Sequence, residues 1–350
     1  MDKNKTDNKT ELADLGEFGL IKRLTENIQL RNNQTVMGVG DDACVLEYSE
    51  EQLVVTNDLL IEGVHFDLGY TPLMHLGYKA VVVNVSDVLA MNAFPKQVLV
   101  SIAVSNRFGL EAIEELYKGI HLACKDYGVD LVGGDTSSST KGLFLSITAI
   151  GSAPKERIVY RSGAGLNDIL CVSGDLGGAY MGLQLLEREN QIFRADPNIQ
   201  PDLSGNDYVL QRQLRPQARI DIITFLKKQD IIPSSMIDIS DGLSSEAIHL
   251  CLNSGLGCKI FEDKIPIAME TDSLAEEFGI ESAVCALNGG EDYELLFSIK
   301  PADYEKIKSN PSISAIGHFT DKAEGMSVVG KNGAKIPLNA QGWNAFLNKK

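Results

Sequence analysis

Two short acidic motifs occur twice along this chain, in the same order and at almost the same separation. Val85-Ser86-Asp87-Val88-Leu89 returns 154 residues later as Ile239-Ser240-Asp241-Gly242-Leu243, and Gly133-Gly134-Asp135 returns 156 residues later as Gly289-Gly290-Glu291. A period that long has the size of a domain, not of a solenoid unit. The chain therefore reads as two related αβ domains, joined by the polar, glycine-bearing stretch 151–165 that contains Pro154. Its 350 residues, 44% of them hydrophobic, suffice for two cores. The implied division is a loose tail over 1–14, an N-terminal domain over 15–152 and a C-terminal αβ domain over 153–350.

Hydrophobic periodicity fills in the fold class. Short β-branched runs bounded by Gly, Asn or Asp predict strands over 36–39, 44–48, 53–56, 98–105, 129–132, 143–150, 168–173, 236–239 and 293–299. Helical spacing predicts a short helix opening at 17–21 and a long one entered through Thr71 as N-cap and Pro72 as first residue. Further helices are expected over 110–127, after Gly177, over 216–228 and after Asp241. Val81-Val82-Val83, inside the long helix, would also suit a strand. Residues 133–136 and 289–292 read as loops, and 190–206 as a polar insertion. Strands and helices are interleaved throughout, which describes an α/β chain with mixed sheets.

Composition removes several functions. A formal charge of −16 leaves no basic surface of the size that tracks nucleic-acid phosphates. No run reaches the roughly 18 apolar residues of a membrane span, and the polar start of the chain is unlike a signal peptide, so a cytoplasmic protein is expected. Cys44, Cys124, Cys171, Cys251, Cys258 and Cys285 form no C-x-x-C pair, which argues against a zinc site or a dense disulfide framework. Neither a G-x-x-x-x-G-K-[ST] phosphate loop nor a G-x-S-x-G elbow occurs.

The acidic residues supply the chemistry instead. Asp41-Asp42 follows Gly40, Asp58 follows a hydrophobic strand, Asp87 sits on the long helix, Asp135 follows two glycines, and Asp238 is close to Asp241. Singly, such an aspartate is most often a turn or a helix cap. Together, five acidic clusters without flanking basic runs suggest a shared cleft. Two carboxylates about 4 Å apart repel by roughly 4 kcal/mol at an effective dielectric near 20, so such a cleft stays ionised only with cations in it. Oxygen ligands select Mg²⁺ or similar hard ions, and Mg²⁺ characteristically bridges carboxylates to phosphates. Ser173-Gly174-Asp175-Leu176-Gly177-Gly178 could hold a phosphate on backbone amides or simply turn from strand to helix. Arg161 is a candidate fork for phosphate oxygens. His65 could touch a ligand or serve structure, and Trp343 could pack in the core or stack on an aromatic ligand.

The segments GEFGLI, GVGDDACVL, TNDLLIEGVHF, YKAVVVNVSDVLAMNAFP, LVGGDT, RSGA, LRPQARI, IDISDGLSSE, LNGGEDYELLF and GWNAF, in that order, resemble the thiamine-monophosphate kinases. These belong to the superfamily of aminoimidazole ribonucleotide synthetase and selenophosphate synthetase. The resemblance implies transfer of a phosphoryl group from ATP to thiamine monophosphate, directly and in line, with several Mg²⁺ ions and no phosphoenzyme. It implies metal ligands at Asp42, Thr56, Asn57, Asp58, Asp87, Asp135, Asp238 and Asp241, and nucleotide contacts at Tyr117, Gly134, Asp135, Arg161 and Ser240. Substrate contacts would fall at His65, Glu291, Asp292 and Trp343, and the N-terminal domain would carry ATP, metal and a homodimer contact through its sheet. Two departures stand out: Asn57 replaces the usual Thr, and Asn92 replaces a common Gly. The nearest rival, a purine-pathway synthetase, is disfavoured by GVHF, GGEDYEL and Trp343. A selenophosphate synthetase would need a reactive Cys or selenocysteine ahead of Cys44, where none stands. A non-catalytic nucleotide-binding module would not need acids in both halves.

Overall fold

The computed structural model describes residues 35–37, 40–48 and 50–340. The expected helix at 17–21, the 1–14 tail and Trp343 lie outside them. Six strands form a first sheet: β1 (Thr35–Met37), β2 (Cys44–Tyr48), β3 (Glu51–Ile61), β4 (Phe94–Val104), β5 (Asp130–Ser138) and β6 (Leu143–Pro154). Their order is β1-β2-β3-β6-β4-β5, antiparallel except for the parallel pair β4 and β5. Two helices, α1 (Leu73–Ala90) and α2 (Leu110–Tyr127), cover one face. Strand alternation shows this directly: Gln52, Val54, Thr56 and Leu60 are buried beneath the helices, while Asn57 and Leu59 on the other face are exposed.

A second sheet holds seven strands in the order β13-β12-β9-β11-β7-β10-β8, with only β9 and β12 parallel. They are β7 (Ile169–Ser173), β8 (Ser235–Asp238), β9 (Gly257–Phe261), β10 (Leu295–Ile299), β11 (Ile313–Thr320), β12 (Met326–Val329) and β13 (Lys335–Pro337). Helices α3 (Gly178–Ala195), α4 (Asp207–Leu214), α5 (Ile220–Lys228), α6 (Leu243–Ser254), α7 (Met269–Glu277), α8 (Ser282–Asn288) and α9 (Tyr304–Ile307) surround it. Alternation again sorts the faces. Leu170, Val172, Ile237 and Leu296 pack with Leu243, Ala247 and Leu250 of α6, while Cys171, Met236 and Phe297 join Ile222 and Leu226 of α5 in a core continuous with the first half.

Helix α1 is the element both halves share. It packs on β3, β4 and β6, on α2 and on β8, so it is buried nearly all round. This explains Val81-Val82-Val83: the β-branched run belongs to a helix apolar on every side, not to a strand. The helix starts one residue later than expected, with extended Pro72 rather than Thr71 at the N-cap. At its far end Asn92 takes the left-handed φ of 56° that a glycine would otherwise supply, and its Nδ2 donates to the Arg157 carbonyl at 2.7 Å. The Gly133 to Thr136 motif is strand, not loop. A Cβ at Gly134 would lie 1.8 Å from the Val100 oxygen, so glycine lets β5 run on against β4. Likewise β6 continues to Pro154, into the stretch read as linker, and α5 begins at Ile220 rather than 216.

Helices α1 and α2 cross at two reciprocal glycines. A Cβ on Gly77 would sit 2.0 Å from the Leu116 oxygen, and one on Gly119 would sit 1.8 Å from the Met74 oxygen. Gly119→Ala should therefore destabilise by about 1–3 kcal/mol through overpacking, despite the gain of about 1 kcal/mol that alanine brings to an unconstrained helix. Urea unfolding measures the balance, and a more stable variant would contradict the close crossing.

Candidate active site

Near its C-terminal end α1 presents three polar side chains in succession. Asn84 accepts the backbone N–H of Asp58 through Oδ1 at 3.0 Å, and its own Nδ2 is held by the Ala80 carbonyl. The Ser86 hydroxyl donates to Asp238 Oδ2 at 2.6 Å, and Asp87 Oδ2 accepts from the Thr56 hydroxyl at 2.6 Å. One helix thus pins β3 of the first half and β8 of the second. From the segment before β2 comes Asp42, gripped by the Arg161 fork: Nε to Oδ2 at 3.0 Å and Nη2 to Oδ1 at 2.7 Å. The Arg161 backbone N–H donates to Asp41 Oδ2 at 3.0 Å.

These contacts bring Asp42, Asp87 and Asp238 together, one carboxylate oxygen of each lying within 4.8 Å of the others. Burial, then Asp42, pushes the Asp238 carboxyl up to about 8. Burial, then Asp58, Asp238 and Asp42, raises Asp87 well above the carboxylate range. Burial, then Asp42, takes Asp41 up to about 7. Arg161 is the cation in this cluster's own bonds, with its Nε and Nη2 engaged by Asp42. Carboxylate and hydroxyl oxygens, with charge left uncompensated, are the donor set of a hard divalent cation.

The second half adds a turn beside this cluster. Glu246 Oε1 accepts from Ser240 N at 3.2 Å and Asp241 N at 2.8 Å, a reach back from the first turn of α6 that fixes both residues. Glu291 N donates to the Ser240 carbonyl at 2.7 Å and Tyr293 N to the Ile239 carbonyl at 2.9 Å, stitching the Gly289-Gly290-Glu291-Asp292 loop to the same turn. Within that loop the two acids have separate partners. Glu291 bonds Lys79 and Gln213. Asp292 accepts from the Gly177 and Ala179 amides at the start of α3, and burial pushes it up to about 6. The glycine-rich turn after β7 therefore holds an internal carboxylate on its amides, not a phosphate.

Other expected site residues fall elsewhere. Asn57 points to the opposite face of β3 from Thr56, and its Nδ2 donates to Ser146 Oγ, the Ile147 carbonyl and Thr148 Oγ1. Its side chain is thus turned away from the three aspartates, as strand alternation requires. In register, Asp58 pairs with Ile147, Ile147 with Val100, and Val100 with Gly134. Gly134 and Asp135 therefore lie three strand spacings from Asp58, about 14 Å, where they line a shallow hollow with Tyr117. His65 is exposed in the turn after β3, where its Nδ1 accepts from Ile61 N at 3.0 Å. Asn84, Ser86, Glu246 and Lys79 were missed from sequence. Polar residues inside an otherwise apolar helix are the signal that could have found three of them.

Residues 40–153 match the family model described as AIR synthase related protein, N-terminal domain. The chain is 36% identical to the thiamine-monophosphate kinase of Aquifex aeolicus, over 96% of this chain and 99% of that one. It is 31% identical to the enzyme of the same name from Bacillus subtilis, over 95% and 100%. A solved structure described as AaThiL complexed with AMPPCP and TMP superposes with a TM-score of 0.82 at 34% identity, covering 97% of this chain and 99% of that chain.

The raised carboxyls give a pH test with a definite sign. Asp238 keeps its proton in the fold from its ordinary 3.8 up to about 8. The stability this contributes is complete below 3.8 and is lost as pH climbs through 8, and Asp87 acts in the same direction. Metal-free protein should melt at lower temperature as pH rises across that window. Mg²⁺, which competes with the protons, should raise the melting temperature more near the top of the window than near its bottom. Thermal melts with Mg²⁺ or chelator measure this, and an equal Mg²⁺ effect at both pH values would contradict the cluster.

Proposed function

The chain belongs to the thiamine-monophosphate kinase family, and we propose that it transfers the γ-phosphoryl group of ATP to thiamine monophosphate, giving ADP and thiamine diphosphate. The observation that carries this reading is the meeting of Asp42, Asp87 and Asp238, from three separated segments and both halves, within 4.8 Å. Such an acidic cluster repels two phosphorylated reactants. It becomes useful to them only when divalent cations stand between, and Mg²⁺ there would supply charge neutralisation and a template for both phosphates.

The chain's own groups then have definite tasks. Asp42, Asp87 and Asp238 would hold Mg²⁺, with Asp58, Asp241 and Thr56 beside them and Asn57 and Asp135 as further candidates. Arg161 fixes Asp42, Ser86 fixes Asp238 and Thr56 fixes Asp87, so the ligands are oriented before the reactants arrive. Tyr117, Gly134, Asp135, Arg161 and Ser240 are assigned to the nucleotide, and His65, Glu291, Asp292 and Trp343 to the acceptor. No general base is required, because a phosphate monoester dianion is itself a nucleophile, and no side chain needs to carry the phosphoryl group.

The face of the first sheet opposite α1, with Leu59 50% and Tyr48 54% exposed and no described helix packed on it, supports a homodimer formed sheet to sheet. The cysteines are unpaired, five of them buried, and among the described residues no helix is long and apolar enough to cross a membrane. Both facts fit a reducing, cytoplasmic setting.

Purified protein incubated with ATP, Mg²⁺ and thiamine monophosphate should form thiamine diphosphate, followed by chromatography. Asp87→Asn and Asp135→Asn should each lower the rate by about 100-fold or more, the equivalent of ~2.7 kcal/mol of lost transition-state stabilisation, while remaining folded. Turnover of a different acceptor in place of thiamine monophosphate would reject the substrate. Wild-type rates in both variants would reject the metal ligands.

A further inference from the structure

Lys79 lies on the second turn of α1, only 5% exposed, among residues that otherwise fill the core. Its Nζ donates to Glu291 Oε2 at 2.6 Å and to the Gln213 carbonyl at 3.0 Å. Gln213 Nε2 donates to the same carboxylate oxygen at 3.1 Å. An ammonium from the first half is thus buried against a carboxylate and a carbonyl of the second. Taking such a pair out of water costs several kcal/mol, and an apolar pair of equal volume is often as stable. Stability alone therefore does not account for the choice of residues.

What the ammonium holds is a loop under conformational constraint. Glu291 and Tyr293 both take left-handed φ values, 60° and 52°, uncommon for residues with side chains. Between the two halves of the loop, main-chain bonds fix it to Ile239 and Ser240 beside the aspartate cluster. With Oε2 taken by Lys79 and Gln213, Glu291 keeps Oε1, which the Tyr293 hydroxyl approaches at 3.3 Å. Lys79 also precedes Asp87 by eight residues on one helix, about 12 Å along its axis. The same rigid rod therefore sets the metal cluster at one point and the Glu291 carboxylate at another.

We infer that Lys79 is a positioning residue for the acceptor: acting through Glu291, it fixes the carboxylate that meets thiamine monophosphate and leaves the nucleotide and metal end of the site untouched. This rests on the assignment of Glu291 to the acceptor side. It goes further by naming a buried residue, acting through another, on which acceptor affinity depends.

Steady-state kinetics separate the possibilities. Lys79→Met should raise KM for thiamine monophosphate about tenfold or more, with KM for ATP changed less than about twofold. Lys79→Arg, which keeps the charge, should recover most of the loss. Added to Glu291→Gln, Lys79→Met should cost little more, because both act through one carboxylate. A lower melting temperature with both KM values unchanged would make Lys79 merely structural and overturn the inference. So would parallel loss of ATP and acceptor affinity, or full additivity of the two substitutions. Wild-type protein that fails to use thiamine monophosphate would instead sink the functional reading itself, an outcome visible before any variant is made.

Discussion

Carboxylates that repel one another share a few ångströms only when something holds them there, and here most of the holding is done by one helix. Helix α1 bonds the Asp58 backbone through Asn84, Asp238 through Ser86, and Thr56 through Asp87. Two of these bonds reach β3 in the first half and the third reaches β8 in the second. A hydrogen bond to an ionised carboxylate contributes about 1.5–3 kcal/mol, so the Ser86 and Thr56 bonds are comparable to the repulsion between a pair of the acids. Without a cation, protons can take its place, the direction in which burial and the neighbouring acids push the Asp87 and Asp238 carboxyls.

That role dictates the composition of the helix. To reach strands on two sides, α1 must run through the interior, so from Ala80 to Ala90 every position other than Asn84, Ser86 and Asp87 is Val, Ala or Leu. To pass close to α2 it needs Gly77, and α2 needs Gly119 in return. To end abruptly beside the cluster it needs a residue tolerant of left-handed backbone, and Asn92 does this while its amide ties down Arg157. The segment 73–92 thus carries packing, termination and chemistry at once. A chain with such a helix cannot separate folding of its two halves from assembly of its site.

Much of this was legible in sequence, for reasons that differ by residue. Strands in the first half are legible as β-branched runs bounded by Gly, Asn or Asp, and burial then alternates along β3 and β6. Four of the five acidic clusters stand out because glycine or a strand end accompanies them; Asp87, inside α1, is the exception. The Gly133-Gly134-Asp135 segment misled because glycine signals a turn unless a neighbouring strand comes too close for a Cβ, and that neighbour, Val100, is remote in sequence. Asn57 stands apart from the three aspartates because neighbours in a strand face opposite ways, so it cannot share the side on which Thr56 meets Asp87. Glu291 and Asp292 looked like an equivalent pair, yet one faces Lys79 and the other caps α3, since adjacent side chains on an irregular loop diverge.

The duplicated motifs that first suggested two αβ halves occupy different local structures. Ser86-Asp87 lies in the last turns of α1, whereas Ser240-Asp241 lies in the turn between β8 and α6. Even so, the two copies face one another, for Ser86 donates to Asp238, the residue two before Ser240. The glycine pairs behave oppositely. Gly289-Gly290-Glu291 bonds directly to the Ser240 turn, while Gly133-Gly134-Asp135 runs as an edge strand about 14 Å from Asp58. The serine-aspartate copies have kept a shared location under different backbones, and the glycine copies a shared sequence at different locations. Side-chain oxygens explain the contrast: a carboxylate reaches a common point from a helix end or a turn equally well, but a glycine acts only through the backbone it belongs to.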